Sequence, residues 1–73
     1  MKQTSTYYSV SPREYQVLNL LSNGYSSKDI ALHLYVSPNT IKDHRKALLR
    51  KLNARNVAQM IRKAFELELL KTA

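Results

Sequence analysis

Two short helix-forming segments, separated by a turn of about three residues, constrain the fold of this chain more than any other feature. The second segment starts at Ser37-Pro38, a helix start signal, because serine caps free first-turn N–H groups and proline tolerates the first helical position. At about 100° per residue, Ile41, Leu48 and Leu52 fall on one side of this helix and cationic side chains fall on the other. Two short helices in this order, the second of them basic, predict a helix-turn-helix whose second helix can enter a DNA major groove.

Four capping signals divide the chain into four predicted helices. Ser11-Pro12-Arg13-Glu14 is a capping box with proline at the first helical position, and further caps follow at Ser26, Ser37 and Asn56. Gly24 suits the left-handed position after the first helix. The predicted helices span about 12–22, 27–34, 38–52 and 57–69. With one glycine and little strand alternation, the chain is predicted to be an all-α, four-helix domain.

The length of 73 residues allows one small domain, which buries only roughly 60% of its unfolded surface. We expect residues 1–9 to form a short arm and residues 10–71 to form the domain. The absence of cysteine excludes a disulfide and a thiolate metal site, and it fits a reducing cytoplasm. No segment has the roughly 18 apolar residues of a membrane span, and the N-terminus lacks the apolar stretch of a secretory signal. The sequence therefore predicts a cytoplasmic protein with no membrane partner.

Basic residues are concentrated in the second half of the chain. The net charge is +7 and the pI is about 10.0, and eight lysines and arginines lie within residues 42–63, where the one acid is Asp43. Such a cluster attracts a polyanion, of which nucleic acid is the commonest. Charge alone leaves a solvated basic face with no partner as the alternative interpretation.

The first turns of the predicted third helix carry the candidates for reading DNA bases. Asn39, Lys42, Asp43 and Lys46 lie opposite the apolar side, and the first turns of a recognition helix usually approach base edges. Lysine donates to guanine O6 and N7, asparagine pairs with adenine and aspartate accepts from cytosine N4. For Asp43 three roles stay open: it reads cytosine or rejects wrong bases, it orients a neighbouring lysine, or it is a solvated acid that offsets basic neighbours.

A second set of polar residues lies where DNA phosphates would pass. The candidates are Lys28, Ser37, Thr40, His44, Arg50 and Lys51. Lys28 lies in the first turn of the second helix, where the positive end of the helix dipole favours an anion. His44, at the edge of the apolar side, either donates to a phosphate or is wedged between helices. Arg45 falls near the apolar side, where its stem can pack while its head reaches solvent, and its role stays open.

Chemistry other than DNA binding has little support in the sequence. His33 and His44 lack the spacing of a zinc-binding motif, and no cysteine joins them. The chain contains no glycine-rich phosphate loop, no nucleophile elbow and no paired carboxylates, so no catalytic site is predicted. We expect neither enzymatic activity nor a metal or cofactor.

The ordered motifs resemble the LuxR-type (GerE-like) helix-turn-helix domain of bacterial transcription regulators. The residues that carry the resemblance, within about 10–70, are Ser11-Pro12-Arg13-Glu14, Val17-Leu18, Leu21, Gly24-Tyr25-Ser26, Lys28-Asp29-Ile30-Ala31, Leu34, Val36-Ser37, Thr40-Ile41-Lys42, His44, Leu48, Arg50-Lys51-Leu52 and Arg55-Asn56. The resemblance implies a four-helix domain in which the third helix reads the major groove and the fourth supports dimerisation. It implies base contacts for Lys42, Asp43 and Lys46, and phosphate contacts for Lys28, Thr40, His44 and Lys51. It also implies a buried polar contact for Glu14.

Three positions depart from the family pattern. Asn53 stands where the family usually has glycine, and asparagine also tolerates a left-handed backbone. Met60 replaces a small residue and Val57 a polar one, which makes the fourth helix unusually apolar. The predicted dimer or partner surface consists of Val57, Met60, Ile61, Ala64 and Leu67.

Two functions of different classes are compatible with these features. The first is a sequence-specific transcription regulator that binds double-stranded DNA as a homodimer, with the third helix of each copy in a major groove. The second is a protein-interaction module that pairs through the fourth helix with a larger regulator or with RNA polymerase. Because 73 residues leave no room for a receiver or ligand-binding domain, the chain resembles the stand-alone type of the family, with a fragment of a longer regulator as the alternative.

Overall fold

The computed structural model describes residues 10–70, which form four helices and no strand. The helices are α1 (Pro12–Ser22), α2 (Ser27–Leu34), α3 (Pro38–Lys51) and α4 (Val57–Glu66). The first two match their predicted bounds, and α3 ends one residue before its predicted end. The all-α, four-helix class is thereby confirmed, while the predicted arm over residues 1–9 lies outside the described residues.

Each helix begins at the predicted capping residue. At α1, Ser11 Oγ accepts from the Glu14 N–H (3.1 Å) and Glu14 Oε1 accepts from the Ser11 N–H (3.0 Å). Ser26 and Asp29 form the same reciprocal pair at α2, at 3.1 and 3.3 Å. The caps of α3 and α4 are Ser37 and Asn56. Because these caps join residues only three apart, the local sequence suffices to set where the helices start.

A residue with left-handed backbone follows each of the four described helices. These residues are Gly24 (φ 92°), Tyr35 (φ 59°), Asn53 (φ 54°) and Glu68 (φ 62°). After α3, the Asn53 N–H donates to Arg50 O (3.1 Å) and the Ala54 N–H donates to Leu49 O (2.8 Å), which satisfies two of the free carbonyls at the helix end. The prediction that asparagine supports this turn is confirmed.

The end of α4 differs from the predicted end at about Leu69. The Glu68 N–H donates to Phe65 O (3.0 Å), and the N–H groups of Leu69 and Leu70 both donate back to Ala64 O (2.8 and 3.2 Å). This reversal turns the buried Leu70 into the core. The prediction is wrong by three residues because glutamate rarely adopts a left-handed backbone and therefore gives no stop signal.

The hydrophobic core surrounds α3, which packs against each of the other three helices. The buried apolar side chains are Val17, Leu18, Leu21, Ile30, Ala31, Ile41, Leu48, Leu52, Met60, Ala64 and Leu70. Ile41, Leu48 and Leu52 are all buried, which confirms the predicted apolar side of α3. Helices α2 and α4 do not pack against each other, so each occupies a different part of the surface of α3. This arrangement leaves the polar side of α3 facing solvent.

Helix α4 packs with Met60 and Ala64 facing the core, where both side chains are 0% exposed. The prediction that both residues belong to a dimer or partner surface is wrong, because a fully buried side chain cannot contact a second chain. Apolar residues cover more than one side of α4, so the helical pattern alone offers two candidates for the buried side. Packing against α1 and α3 buries the side with Met60 and Ala64.

Candidate nucleic-acid interface

The outer face of α3 carries four exposed polar side chains, Asn39, Lys42, Asp43 and Lys46. Among the described residues, none of the four side chains has a hydrogen-bond or ion-pair partner, as the bonds of α3 involve other positions. Groups that are exposed and unpaired in the free protein can bind a partner without first breaking an internal contact. The structure therefore places all four predicted base-reading residues on one accessible face.

Asp43 lies on this face without a salt bridge, since the ion pairs in the described part of the chain join Lys51 to Glu14 and Arg62 to Glu66. One of the three roles considered for Asp43, the orientation of Lys42 or Lys46, therefore has no contact to support it. Contact with a base and offset of the surrounding positive charge remain as the two roles for this carboxylate.

Two hydroxyl groups lie together at the start of α3. Ser37 Oγ accepts from the Thr40 N–H (3.1 Å) and lies 2.9 Å from Thr40 Oγ1. Ser37 is exposed and Thr40 half-buried, while Lys28 in the first turn of α2 and Arg50 in the last turn of α3 are exposed. These four residues thus lie near the starts of α2 and α3 and at the end of α3, whereas His44, a further candidate, lies in the middle of α3.

Lys51 and Glu14 form an ion pair between α3 and α1. Lys51 Nζ donates to Glu14 Oε1 at 2.7 Å, and the two side chains are only 24% and 9% exposed. Glu14 is the one buried charged residue among those described, and this bond is the buried polar contact implied for it by the family resemblance. Lys51 was predicted to contact a phosphate, but in the structure its ammonium group has a contact within the protein.

The same contacts determine the ionisation of Glu14. Burial by itself would raise the pKa of this carboxyl group, because charge is poorly solvated there. Hydrogen bonds from Lys51 and from the Ser11 N–H, with the positive charges of Lys51 and His44, outweigh that effect and lower the pKa below its ordinary value. His44, which is half-buried on α3, therefore acts electrostatically on this junction.

Arg45 connects α3 to the beginning of α2. Its Nη1 donates to Ser27 Oγ at 2.6 Å, and its side chain is partly buried. Arg45 also lines a cavity of about 300 Å³ together with Lys42, Lys46 and Leu49. The helical pattern predicts Arg45 near the apolar side but does not reveal its partner, since Ser27 lies 18 residues away in the chain.

The accessible apolar surface of α4 differs from the predicted one. Val57, Ile61 and Leu67 are half-buried and pack against the core, so each keeps some accessible surface. Phe65 is 37% exposed, and it shares one side of the helix with Val57 and Ile61 at four-residue spacing. The predicted dimer surface left Phe65 out. Its position four residues after Ile61 was the available signal.

The structure also bears on metal and membrane binding. Among residues 10–70, no group of three or more histidine, cysteine, aspartate or glutamate side chains could hold a metal ion. Within the same range, no helix is both long enough and apolar enough to cross a membrane.

Comparison with known proteins identifies relatives along most of the chain. The family model GerE, described as bacterial regulatory proteins of the luxR family, matches residues 8–64. Oxygen regulatory protein NreC of Staphylococcus epidermidis is 36% identical over 61 residues, which cover 84% of this chain and 28% of NreC. The virulence-factor transcription regulator BvgA of Bordetella pertussis is 44% identical over 61 residues, which cover 82% of this chain and 29% of BvgA. The chain thus spans less than a third of the length of these two regulators.

Solved structures show the same arrangement of helices. The transcription factor GerE matches with a TM-score of 0.79 and 31% sequence identity, over 84% of this chain and 91% of that chain. The response regulator ChrA of a heme-sensing two-component system matches with a TM-score of 0.81 and 28% identity, over 96% of this chain and 32% of that chain. The four helices described above are therefore arranged as in GerE-like domains.

Proposed function

The chain belongs to the LuxR family of bacterial regulatory proteins, and we propose that it binds specific DNA sequences by inserting α3 into the major groove. The observation that carries this proposal is the outer face of α3, where four polar side chains are exposed together and lack partners among the described residues. The net charge of +7 adds the general attraction to phosphates that DNA-binding proteins need.

Each residue of the outer face has a chemical reason for its proposed role. Lys42 and Lys46 would donate to guanine O6 and N7, and Asn39 would pair with adenine. Asp43 would accept from cytosine N4, or repel a phosphate and so exclude misplaced DNA. These contacts would select the sequence, because base edges differ between base pairs in the major groove.

A ring of phosphate contacts would hold α3 in register without reading sequence. The residues proposed for it are Lys28, Ser37, Thr40, His44 and Arg50. Lys51 belongs to this ring only if its ammonium group serves Glu14 and a phosphate together, since it already contacts Glu14 at 2.7 Å. Arg50 is therefore the better test of a pure phosphate contact near the end of α3.

We propose that the protein acts as a homodimer through the outer side of α4. Val57, Ile61, Phe65 and Leu67 would form the contact, with Phe65 contributing the most exposed apolar side chain. A two-fold dimer would place two copies of α3 about 34 Å apart, one helical turn of DNA. In a bacterium this regulator would act in the cytoplasm, where both DNA and RNA polymerase are found.

Selection from random duplex DNA at about physiological salt, followed by sequencing of the retained fraction, tests the proposal. A motif with two half-sites supports sequence-specific binding by a dimer. A motif with a single half-site contradicts the dimer but not the sequence-specific binding. Retention without a motif, lost as salt rises, contradicts sequence reading and favours the alternative of a protein-interaction module that uses α4.

Variants on the selected duplex then separate base contacts from phosphate contacts. We expect Lys46→Ala to reduce the binding free energy for the selected sequence by about 1–3 kcal/mol and to relax the base preference at one position. The matched variant Arg50→Ala should weaken binding to every sequence alike and reduce the salt slope by about one. Equal losses on all sequences for Lys46→Ala would contradict base reading by this residue.

A further inference from the structure

We propose that Arg45 contacts a DNA phosphate and that Ser27 holds its guanidinium group in position for this contact. This inference rests on the proposed DNA-binding function and adds to it a residue whose role the sequence analysis left open. Ser27 is the first residue of α2, and Arg45 lies in the middle of α3. A single side chain would thus connect both helices of the helix-turn-helix to the DNA backbone.

The hydrogen bond to Ser27 defines where the guanidinium group lies. Arg45 Nη1 donates to Ser27 Oγ at 2.6 Å, which draws the group away from the centre of the outer face of α3 and toward the beginning of α2. Lys28, an exposed candidate for phosphate contact, follows Ser27 directly. Arginine carries five N–H donors in a planar fork, so the bond to Ser27 leaves Nη2 available for an anion.

The charge of Arg45 has no opposite charge beside it in the described part of the chain. No carboxylate lies within 4 Å, and its Nε is buried without a hydrogen-bond partner. Lys51 on the same helix, by contrast, faces Glu14. A partly buried cation without a counter-charge is unfavourable for folding, and a bound phosphate would supply both the missing charge and hydrogen-bond acceptors.

The surroundings of Arg45 favour a phosphate over a base as its partner. With Ile41 at zero on a helical wheel, Arg45 lies about 40° from the apolar side, whereas Lys42 and Lys46 lie about 100° and 140° away. Arg45 therefore borders the outer face, where the DNA backbone would run, and Lys42 and Lys46 are nearer its middle. These three cations and Leu49 line a cavity of about 300 Å³. None of these four lining residues is acidic.

The test measures DNA affinity as a function of salt for the full chain, on the selected duplex and on an unrelated duplex. We expect Arg45→Met to weaken binding to both duplexes about fivefold at 0.15 M salt and to reduce the salt slope by about one, as expected for one phosphate contact. Arg45→Lys keeps the charge and should keep the slope. Ser27→Ala should also keep the salt slope, and it should weaken binding to both duplexes by a smaller factor than Arg45→Met does.

Unfolding by urea, followed for the same variants, separates this role from a structural one. Because Arg45 lacks a counter-charge, we expect Arg45→Met to be at least as stable as the parent chain while it binds DNA more weakly. Unchanged affinity and slope for Arg45→Met overturn the inference, as does a loss confined to the selected duplex, which would indicate base reading. If Arg45→Met does not fold, unchanged affinity of a folded Ser27→Ala overturns the inference instead. A parent chain that binds neither duplex overturns the proposed function itself.

Discussion

Lys46 and Lys51 are both on α3, but they lie in regions of the molecule that use charge differently. At the junction between α1 and α3, Lys51 Nζ contacts the buried Glu14 at 2.7 Å, so its charge contributes to the packing of two helices. On the outer face, Lys46 is exposed and has no carboxylate within 4 Å among the described residues. A count of basic residues therefore overestimates the charge that remains available for a polyanion.

Substitutions on the inner and outer sides of α3 should differ most in their effect on stability. Ile41 is fully buried, so Ile41→Ala should reduce the free energy of unfolding by about 2–5 kcal/mol through lost burial and the cavity left behind. The neighbouring control Lys42→Ala should change it by no more than about 0.5 kcal/mol, because Lys42 is exposed. Urea unfolding measures both variants, and similar losses would show that the outer face also supports the fold.

Substitution of the two lysines tests the comparison directly. Lys51→Met should lower the free energy of unfolding by about 1–2 kcal/mol, since it leaves the buried carboxylate of Glu14 without its charged partner. Lys46→Met should leave stability within about 0.5 kcal/mol and weaken DNA binding. The contrast between the regions fails if Lys46→Met destabilises the protein as much as Lys51→Met in urea unfolding.

Acid should destabilise the fold through the junction between α1 and α3. The pKa of Glu14 is lower in the folded protein than its ordinary value of 4.5, so its carboxylate stabilises the fold above that pH. This contribution is lost as the pH falls through the lowered pKa and the carboxylate becomes protonated. Glu14→Gln should therefore be less stable at neutral pH and lose less stability below about pH 4.5. A parallel decline of both proteins in unfolding experiments over pH 2–7 would exclude Glu14 as the cause.

The smallest expected effect concerns a position outside both regions. Tyr35 follows α2 with a left-handed backbone, and its side chain is 95% exposed, so it contributes strain without compensating burial. Tyr35→Gly should raise the free energy of unfolding by about 1 kcal/mol. Gly24→Ala is the matched variant with the opposite expected effect, because Gly24 also has a left-handed backbone. An added methyl group there meets no atom within 4 Å, so the expected loss of about 1 kcal/mol in the free energy of unfolding comes from the backbone conformation alone. If Tyr35→Gly lowers stability, the tyrosine side chain makes a contact that its exposure does not reveal.

Features that depend on neighbours along the chain could be predicted from the sequence. The start of α1 follows from Ser11 and Glu14, three residues apart, and the inner side of α3 follows from the spacing of Ile41 and Leu48. The outer face of α3 could be predicted for the same reason, since residues opposite a buried side must face solvent. The end of α4 could not be predicted, because the left-handed position is occupied by Glu68, and glutamate does not signal the end of a helix as glycine or asparagine does.

The starts of the helices, the buried side of α3 and the family resemblance all follow from the sequence, since each depends on local or periodic patterns along the chain. The pairing of Lys51 with Glu14, 37 residues away, and of Arg45 with Ser27 became apparent only from the folded arrangement of the helices. The same is true of Met60, which faces the core, and of Phe65, which stays accessible. Charge partners and buried sides depend on how helices pack against one another, and several packings are compatible with the same apolar pattern along the chain.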